Sequence, residues 1–230
     1  MKLDVVSENA ILVELGDSIC ESLIPRIVAV EHAIEQALGE VLVDLIPSYT
    51  TLLCVYDPNR VNYQWMLKTL SEVIDQVESH PEALSQGQLV EIPVWYDPEV
   101  GYDLERLADE KALSVEDLIS KHSNKEYQVF AIGFNPGFAF LGRVDERIAA
   151  PRHTTPRSAV APGSVGIADF QTAIYPIQSP GGWNIVGRSP QCMFDPDRSD
   201  HKATLLQVGD RVRFKSIDRS DFIELGGLLE

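Results

Sequence analysis

The chain is poor in positive charge: 19 lysines and arginines stand against 35 aspartates and glutamates, a formal net charge of −16. Such a surface repels phosphate backbones and anionic headgroups, which excludes nucleic acid and membrane as principal partners. Cysteine is scarce too. Cys20, Cys54 and Cys192 are scattered, odd in number and without CxxC or Cys/His metal spacing, a pattern of free thiols in a reducing compartment and of no metal site. The N-terminal MKLDVVSENAILVELGD lacks an apolar signal core, and no run approaches membrane-spanning length, so a cytoplasmic location is expected. Neither GxxxxGK[ST] nor a strand-following GxGxxG is present, which leaves no recognisable nucleotide loop. Ser164 lacks a GxSxG setting and no Ser-Lys amidase signature occurs, so no catalytic nucleophile is assigned.

Lysine vanishes altogether between Lys125 and Lys202, whereas Arg143, Arg147, Arg152, Arg157, Arg188 and Arg198 all fall there. Arginine used without lysine points to planar, two-pronged recognition of carboxylate or phosphate, against the plainer reading of Arg–Asp pairs on loops. Arg147 and Arg198 lie beside acids and fit the plainer reading. Arg152, Arg157 and Arg188 have no acidic neighbour in sequence and are the ligand candidates. His153 is a candidate acid/base against the alternative of a solvated loop residue, and His201 reads as a solvated turn residue.

What remains is ample for two cores: 230 residues, 44% of them apolar. In the first ninety, AILVEL (10–15) reads as a strand and a helix follows with Ile24, Ile27, Val28, Ile34 and Leu38 at helical spacing, beginning at Asp17, Ser18 or Pro25. VLVDLIP (41–47) and TTLLCVYD (50–57) form a hairpin-like pair. Residues 61–80 form a second helix with Trp65, Leu67, Leu70, Val73, Ile74 and Val77 on one side. QLVEIPVWYD (88–97) supplies a fourth strand. The order β-α-β-β-α-β is that of a ferredoxin-like split βαβ sandwich. Beyond it, DLERLADEKAL and SVEDLISKHS read as short helices, Ser114 and Asp117 forming a capping box. EYQVFAIGF, SVGIA, TAIYPI, WNIVG, ATLLQV and DRVRFKSI then predict strands of an all-β barrel. The boundary falls near 85–100, around SQGQ or YDPEVG, giving domains 1–90 and 91–230 in an α+β protein.

Eight of the 15 glycines and seven of the 14 prolines fall within 131–190. NPGF, APGS and SPGGW are tight-turn sequences interleaved with Phe134, Phe138, Phe140, Tyr175 and Trp183. Barrel turns explain any one of them; together they suggest a loop-lined pocket with aromatic walls. Within it the SPGGW turn is expected to bring backbone N–H groups near an anion, with glycine allowing the close approach, Trp183 as an exposed wall and Arg188, Arg152 and Arg157 as the binding cations.

GFNPGFAFLG, PRHTTPR, APGSVGIA, QTAIYP, SPGGWNIVGRSP and FDP occur in this order. Together they resemble the family known as allophanate hydrolase subunit 1, regarded as the B subunit of bacterial 5-oxoprolinase and including the histidine kinase inhibitor KipI. The resemblance covers essentially the whole chain. It implies a ferredoxin-like N-terminal domain and a cyclophilin-like C-terminal β-barrel. It further implies a component inactive alone, which joins a homologous cyclophilin-like C subunit and an A subunit in the ATP-dependent opening of 5-oxoproline to L-glutamate. ATP with magnesium is the implied cofactor of that complex. The family also allows inhibition of a sensor histidine kinase, or membership of a related urea- or allophanate-handling complex. The substrate-binding residues expected here are Arg152, His153, Arg157, Gln171, Tyr175, Gly181, Gly182, Trp183 and Arg188. Three positions depart from the family pattern: His153 replaces a second arginine, and Asp169 and Ala173 stand where glycine is common.

Overall fold

The computed structural model describes residues 1–80, 87–198 and 203–229. The chain divides into two compact units, Met1–Gly87 and Gln88–Glu230. Ser85 and Gln86 of the expected SQGQ boundary, and His201, lie outside the described residues.

The first unit runs β1 (Lys2–Ser7), β2 (Ala10–Glu14), α1 (Ile24–Leu38), β3 (Leu42–Ser48), β4 (Thr51–Tyr56) and α2 (Tyr63–Glu78). Its strands are antiparallel in the order β1-β2-β4-β3. Helix α1 starts next to Pro25, where the missing N–H costs nothing, and buries Ile24, Ile27, Val30, Ile34 and Leu38 on a single stripe. Helix α2 is capped by Asn62, whose side chain accepts from the Trp65 amide at 2.9 Å. It buries Met66, Leu70 and Ile74, while Trp65 remains 42% exposed. The expected apolar face was therefore one residue out of phase at its start.

One strand sits elsewhere than expected. Residues 88–97 contribute β5 (Leu89–Trp95), which pairs parallel with β13 (Arg211–Ile217) of the second unit rather than completing the first sheet. The sheet position beside β2 is taken by β1, a segment whose sequence carries no strand signal. Strand β1 is largely exposed, with Val5 and Val6 about half so, and it shows none of the alternation that marks a half-buried strand.

The second unit is a closed seven-stranded barrel in the order β6-β13-β5-β12-β9-β10-β7, with β7 returning to β6. These further strands are β6 (Glu126–Ile132), β7 (Ala139–Leu141), β9 (Ser164–Ala168), β10 (Gln171–Ile174) and β12 (Asn184–Arg188). Between β7 and β9 lies β8 (Arg157–Val160), paired with β11 (Ser179–Gly181) as a separate two-stranded ribbon. Helices α3 (Leu104–Glu110), α4 (Val115–Ser123) and α5 (Arg219–Glu224) complete the unit. Ser114 caps α4 through the Asp117 amide, as its sequence predicts. ATLLQV forms no strand; Thr204 makes a lone bridge to Phe194.

The barrel core holds one fully buried histidine. His122 Nδ1 lies 2.7 Å from the Tyr96 hydroxyl and Nε2 lies 2.8 Å from Thr172 Oγ1. Thr172 donates its own proton to the Gly166 carbonyl at 3.0 Å, so it accepts from Nε2–H, and Tyr96 donates to Nδ1. Phe214 stacks on the imidazole at 4.6 Å. Burial in this apolar setting pushes His122 from 6.5 down to about 3. Between those values the unfolded chain takes up a proton that the folded chain refuses. The neutral histidine thus contributes fully above pH 6.5, and its contribution is lost as pH falls toward 3. We expect a loss on the order of 4–5 kcal/mol across that window. His122→Gln should show a flatter dependence in urea unfolding measured from about pH 7 to about pH 4, whereas an unchanged slope would remove His122 as its source.

Candidate functional site

The site grows from a loop laid flat on a strand. Residues 97–103 cross β12 so closely that a Cβ on Gly101 would lie 2.5 Å from the Val186 carbonyl group; only glycine permits that approach. The contact delivers Asp103 to Ile185. Its amide donates to the Ile185 carbonyl at 2.8 Å, and its Oδ2 accepts from the Ile185 amide at 2.8 Å. Asp103 occupies the N-cap position of α3 yet makes no capping bond, because its carboxylate is committed to the barrel wall.

Three cationic or ionisable side chains converge on the other oxygen. Asp103 Oδ1 lies 2.8 Å from Arg157 Nη2, 3.2 Å from Arg106 Nη2 and 3.1 Å from His153 Nε2. Arg106 also donates to Asn184 Oδ1 at 2.6 Å and to Glu110 at 2.6 Å. Asn184 in turn donates to the Pro151 and Ile167 carbonyls, each at 3.0 Å, tying the 151–157 loop to β12 and β9. Asp103 is 2% exposed. Burial by itself would raise its carboxyl; the Arg157 guanidinium and the Ile185 amide outweigh that and hold it below the ordinary range.

The arginines are not used up by this arrangement. Arg157 Nη1 is buried without a hydrogen-bond partner, and its guanidinium faces the Tyr102 ring at 5.8 Å. Arg152 is exposed, its guanidinium 5.6 Å from the Trp183 ring centroid. The ribbon sets Arg157 opposite Gly181, and the His153 backbone N–H donates to the Gly182 carbonyl at 2.7 Å. PRHTTPR and SPGGW, far apart in sequence, are therefore adjacent. A carboxylate or phosphate at this face would meet the cations of Arg152 and Arg157, with His153 beside them.

Several expected roles change. Trp183 is buried at 5% exposure, packed edge-to-face on Phe138 at 5.7 Å and near Phe140 and Tyr175 in one aromatic cluster. Glycine at 181 answers to the protein itself, since a Cβ there would lie 2.2 Å from the Tyr175 hydroxyl. Burial raises the Tyr175 hydroxyl above its ordinary range, partly offset by the Trp183 backbone and the nearby Arg152 and Arg157 charges. Gln171 opens β10 opposite Ala168. Arg188 lies in β12 away from Asp103, its guanidinium bonded to Tyr102. Arg157, selected for its lack of acidic neighbours, pairs with an acid 54 residues away. Arg147 and Arg198 pair with Asp145 and Asp195 as their neighbours suggest. Asp103, Arg106, Asn184 and Tyr102 were not found by sequence reasoning; Asp103 immediately before a helix looks like an ordinary cap.

The sequence matches the carboxyltransferase domain family, subdomains C and D, over residues 1–205. A Bacillus subtilis (strain 168) protein, the B subunit of 5-oxoprolinase, is 36% identical over 230 residues, covering 96% of this chain and 95% of that one. The Haemophilus influenzae protein of the same name is 46% identical over 129 residues, or 56% of this chain and 60% of its own. Among solved structures, TTHA0988 matches with a TM-score of 0.80 at 35% identity; the match covers 92% of this chain and 40% of TTHA0988. This chain thus corresponds to less than half of that protein. Kluyveromyces lactis urea carboxylase shares the fold, with a TM-score of 0.69 at 18% identity over 94% of this chain and 22% of its own.

Removing the carboxylate should be costly. Asp103→Ala strands Arg157, Arg106 and the Ile185 amide, and we expect a loss of about 3–5 kcal/mol in denaturant unfolding. Because its carboxyl is depressed, the Asp103 contribution stands above the ordinary carboxyl range and is lost as pH falls through its folded value. Asp103→Ala should therefore approach the parent protein in stability at strongly acidic pH.

Proposed function

The chain belongs to the carboxyltransferase-domain family that includes the 5-oxoprolinase B subunit, and we propose that it serves as such a component in ATP-dependent opening of 5-oxoproline to L-glutamate. The observation that carries this reading is the pair of cations at the Asp103 face: Arg152, exposed and set against the Trp183 ring, and Arg157, whose buried Nη1 has no hydrogen-bond partner among the described residues. 5-Oxoproline is a small carboxylate with a lactam ring, the kind of anion such donors hold. In this reading Arg152 and Arg157 bind the carboxylate, the His153 imidazole lies beside them, and Asp103 fixes the Arg157 guanidinium. The group to be activated is the lactam oxygen of the substrate, so the chain needs no nucleophile of its own.

The protein works with a homologous cyclophilin-like C subunit and with the A subunit of the same complex. Among the described residues no group of three or more His, Cys, Asp or Glu side chains is placed to hold a metal ion. ATP with magnesium enters this reading as the cofactor of the assembled complex, and no step is routed through it on this chain. Among the described residues no helix is long and apolar enough to cross a membrane.

Co-purification with the A and C subunits, followed by ATP-dependent glutamate release, tests the reading. The isolated chain should release little glutamate. In the assembled complex Arg152→Ala should lower kcat/KM about 10- to 150-fold, the worth of one charge-assisted hydrogen bond. Its melting temperature should hold, since Arg152 is exposed. Full activity of Arg152→Ala, or rapid turnover by the chain alone, would contradict the reading.

A further inference from the structure

Among the described residues Arg188 is a buried cation with no acid bonded to it. Its residue is 5% exposed, and its stem is held by β12 pairing with Trp95 on one side and Ser164 on the other. Gly163, at φ +78°, lies against the neighbouring backbone: a Cβ there would come within 2.2 Å of the Ser189 carbonyl oxygen and 3.3 Å of Arg188 Cγ. Nη1 donates to the Leu228 carbonyl at a long 3.3 Å, and Nη2 donates to the Tyr102 hydroxyl at 2.9 Å. Nε is buried with no hydrogen-bond partner among the described residues. Among the described residues none of its partners is a carboxylate. Taking a guanidinium out of water against two neutral acceptors is expensive, and leaving one N–H bare adds to the cost.

The bare Nε and the Tyr102-bonded Nη2 form the side-on edge of the guanidinium, the edge that takes both oxygens of a carboxylate or two of a phosphate. Tyr102 fills one prong with a single neutral oxygen. It is 48% exposed, so the group covering the fork is also the one that reaches solvent. Its ring faces Arg157 on the other side at 5.8 Å, which adds a second cation to the approach. We propose that the Arg188 fork is an oxyanion-binding site and that the Tyr102 hydroxyl holds its place until an anion displaces it. The ligand class is a small carboxylate or phosphate. The fork is built on Arg188 rather than on Arg152 or Arg157, although Arg157 borders its approach, and it does not depend on the proposed 5-oxoprolinase role, because anion binding by the chain alone can be present without turnover by any complex.

Calorimetric titration of the full chain with 5-oxoproline, acetate and inorganic phosphate tests this, with circular dichroism confirming that each variant is folded. Tyr102→Phe frees the fork without touching the cation, and should bind the preferred anion severalfold tighter, on the order of 2- to 10-fold. Arg188→Lys replaces the fork by a point charge and should bind at least about 10-fold more weakly. Preference for the two carboxylates over phosphate, or the reverse, identifies the source of the anion. Unchanged affinity in both variants would place the binding elsewhere and overturn the proposal. Should Arg188→Lys fail to fold, Tyr102→Phe decides alone: no gain in affinity, or no binding by either protein, overturns it.

Discussion

A carboxylate buried at 2% exposure organises the charged face of the barrel. Asp103 is admitted because each of its oxygens is met, one by a backbone amide of β12 and the other by guanidinium groups from α3 and β8. Without them the site would hold either a protonated acid or a costly orphan charge. With them, a single loop, one helix and the 151–157 segment are pinned to the same strand. The consequence for chemistry lies in the donors: Arg106 is shared with Asn184 and Glu110, whereas Arg157 keeps a buried Nη1 with no hydrogen-bond partner among the described residues. Under the proposed role, that donor is what the chain offers a substrate.

The aromatic cluster plays the complementary part. Phe138, Tyr175 and Trp183 pack into one buried cluster with Val160 of the ribbon and Ile185 of the barrel. The His153 N–H to Gly182 carbonyl bond joins SPGGW to the 151–157 loop, and the Arg152 guanidinium lies 5.6 Å from the Trp183 ring. His122 does similar work deeper in the barrel, where its neutral ring completes a chain of hydrogen bonds from Tyr96 to Gly166.

Much of this was legible in the sequence. Helical spacing located α1, and turn residues with short apolar runs located the β3–β4 hairpin and most barrel strands. The arginine-for-lysine bias marked the loops that meet in space, and Arg152, His153, Arg157, Gly181 and Gly182 do come together. What was hidden depends on distance along the chain. Asp103 reads as a helix cap because nothing local reveals that Ile185 and Arg157 will claim its oxygens. Strand β5 reads as the close of the first sheet because an apolar run carries no label for its partner, and β1 is too exposed to alternate. Glycine at 181 suggested room for a ligand, yet the space belongs to a tyrosine hydroxyl.

If the donors left over from Asp103 bind the substrate's carboxylate, the arginines themselves must report it. Side-chain Nε–Hε resonances of Arg152 and Arg157, followed by NMR as 5-oxoproline is added, provide that report. Saturable shifts of both resonances are expected, abolished when the carboxylate is replaced by its amide. Saturable binding that leaves both resonances unmoved, or that persists unchanged with the amide, would contradict this assignment of the donors.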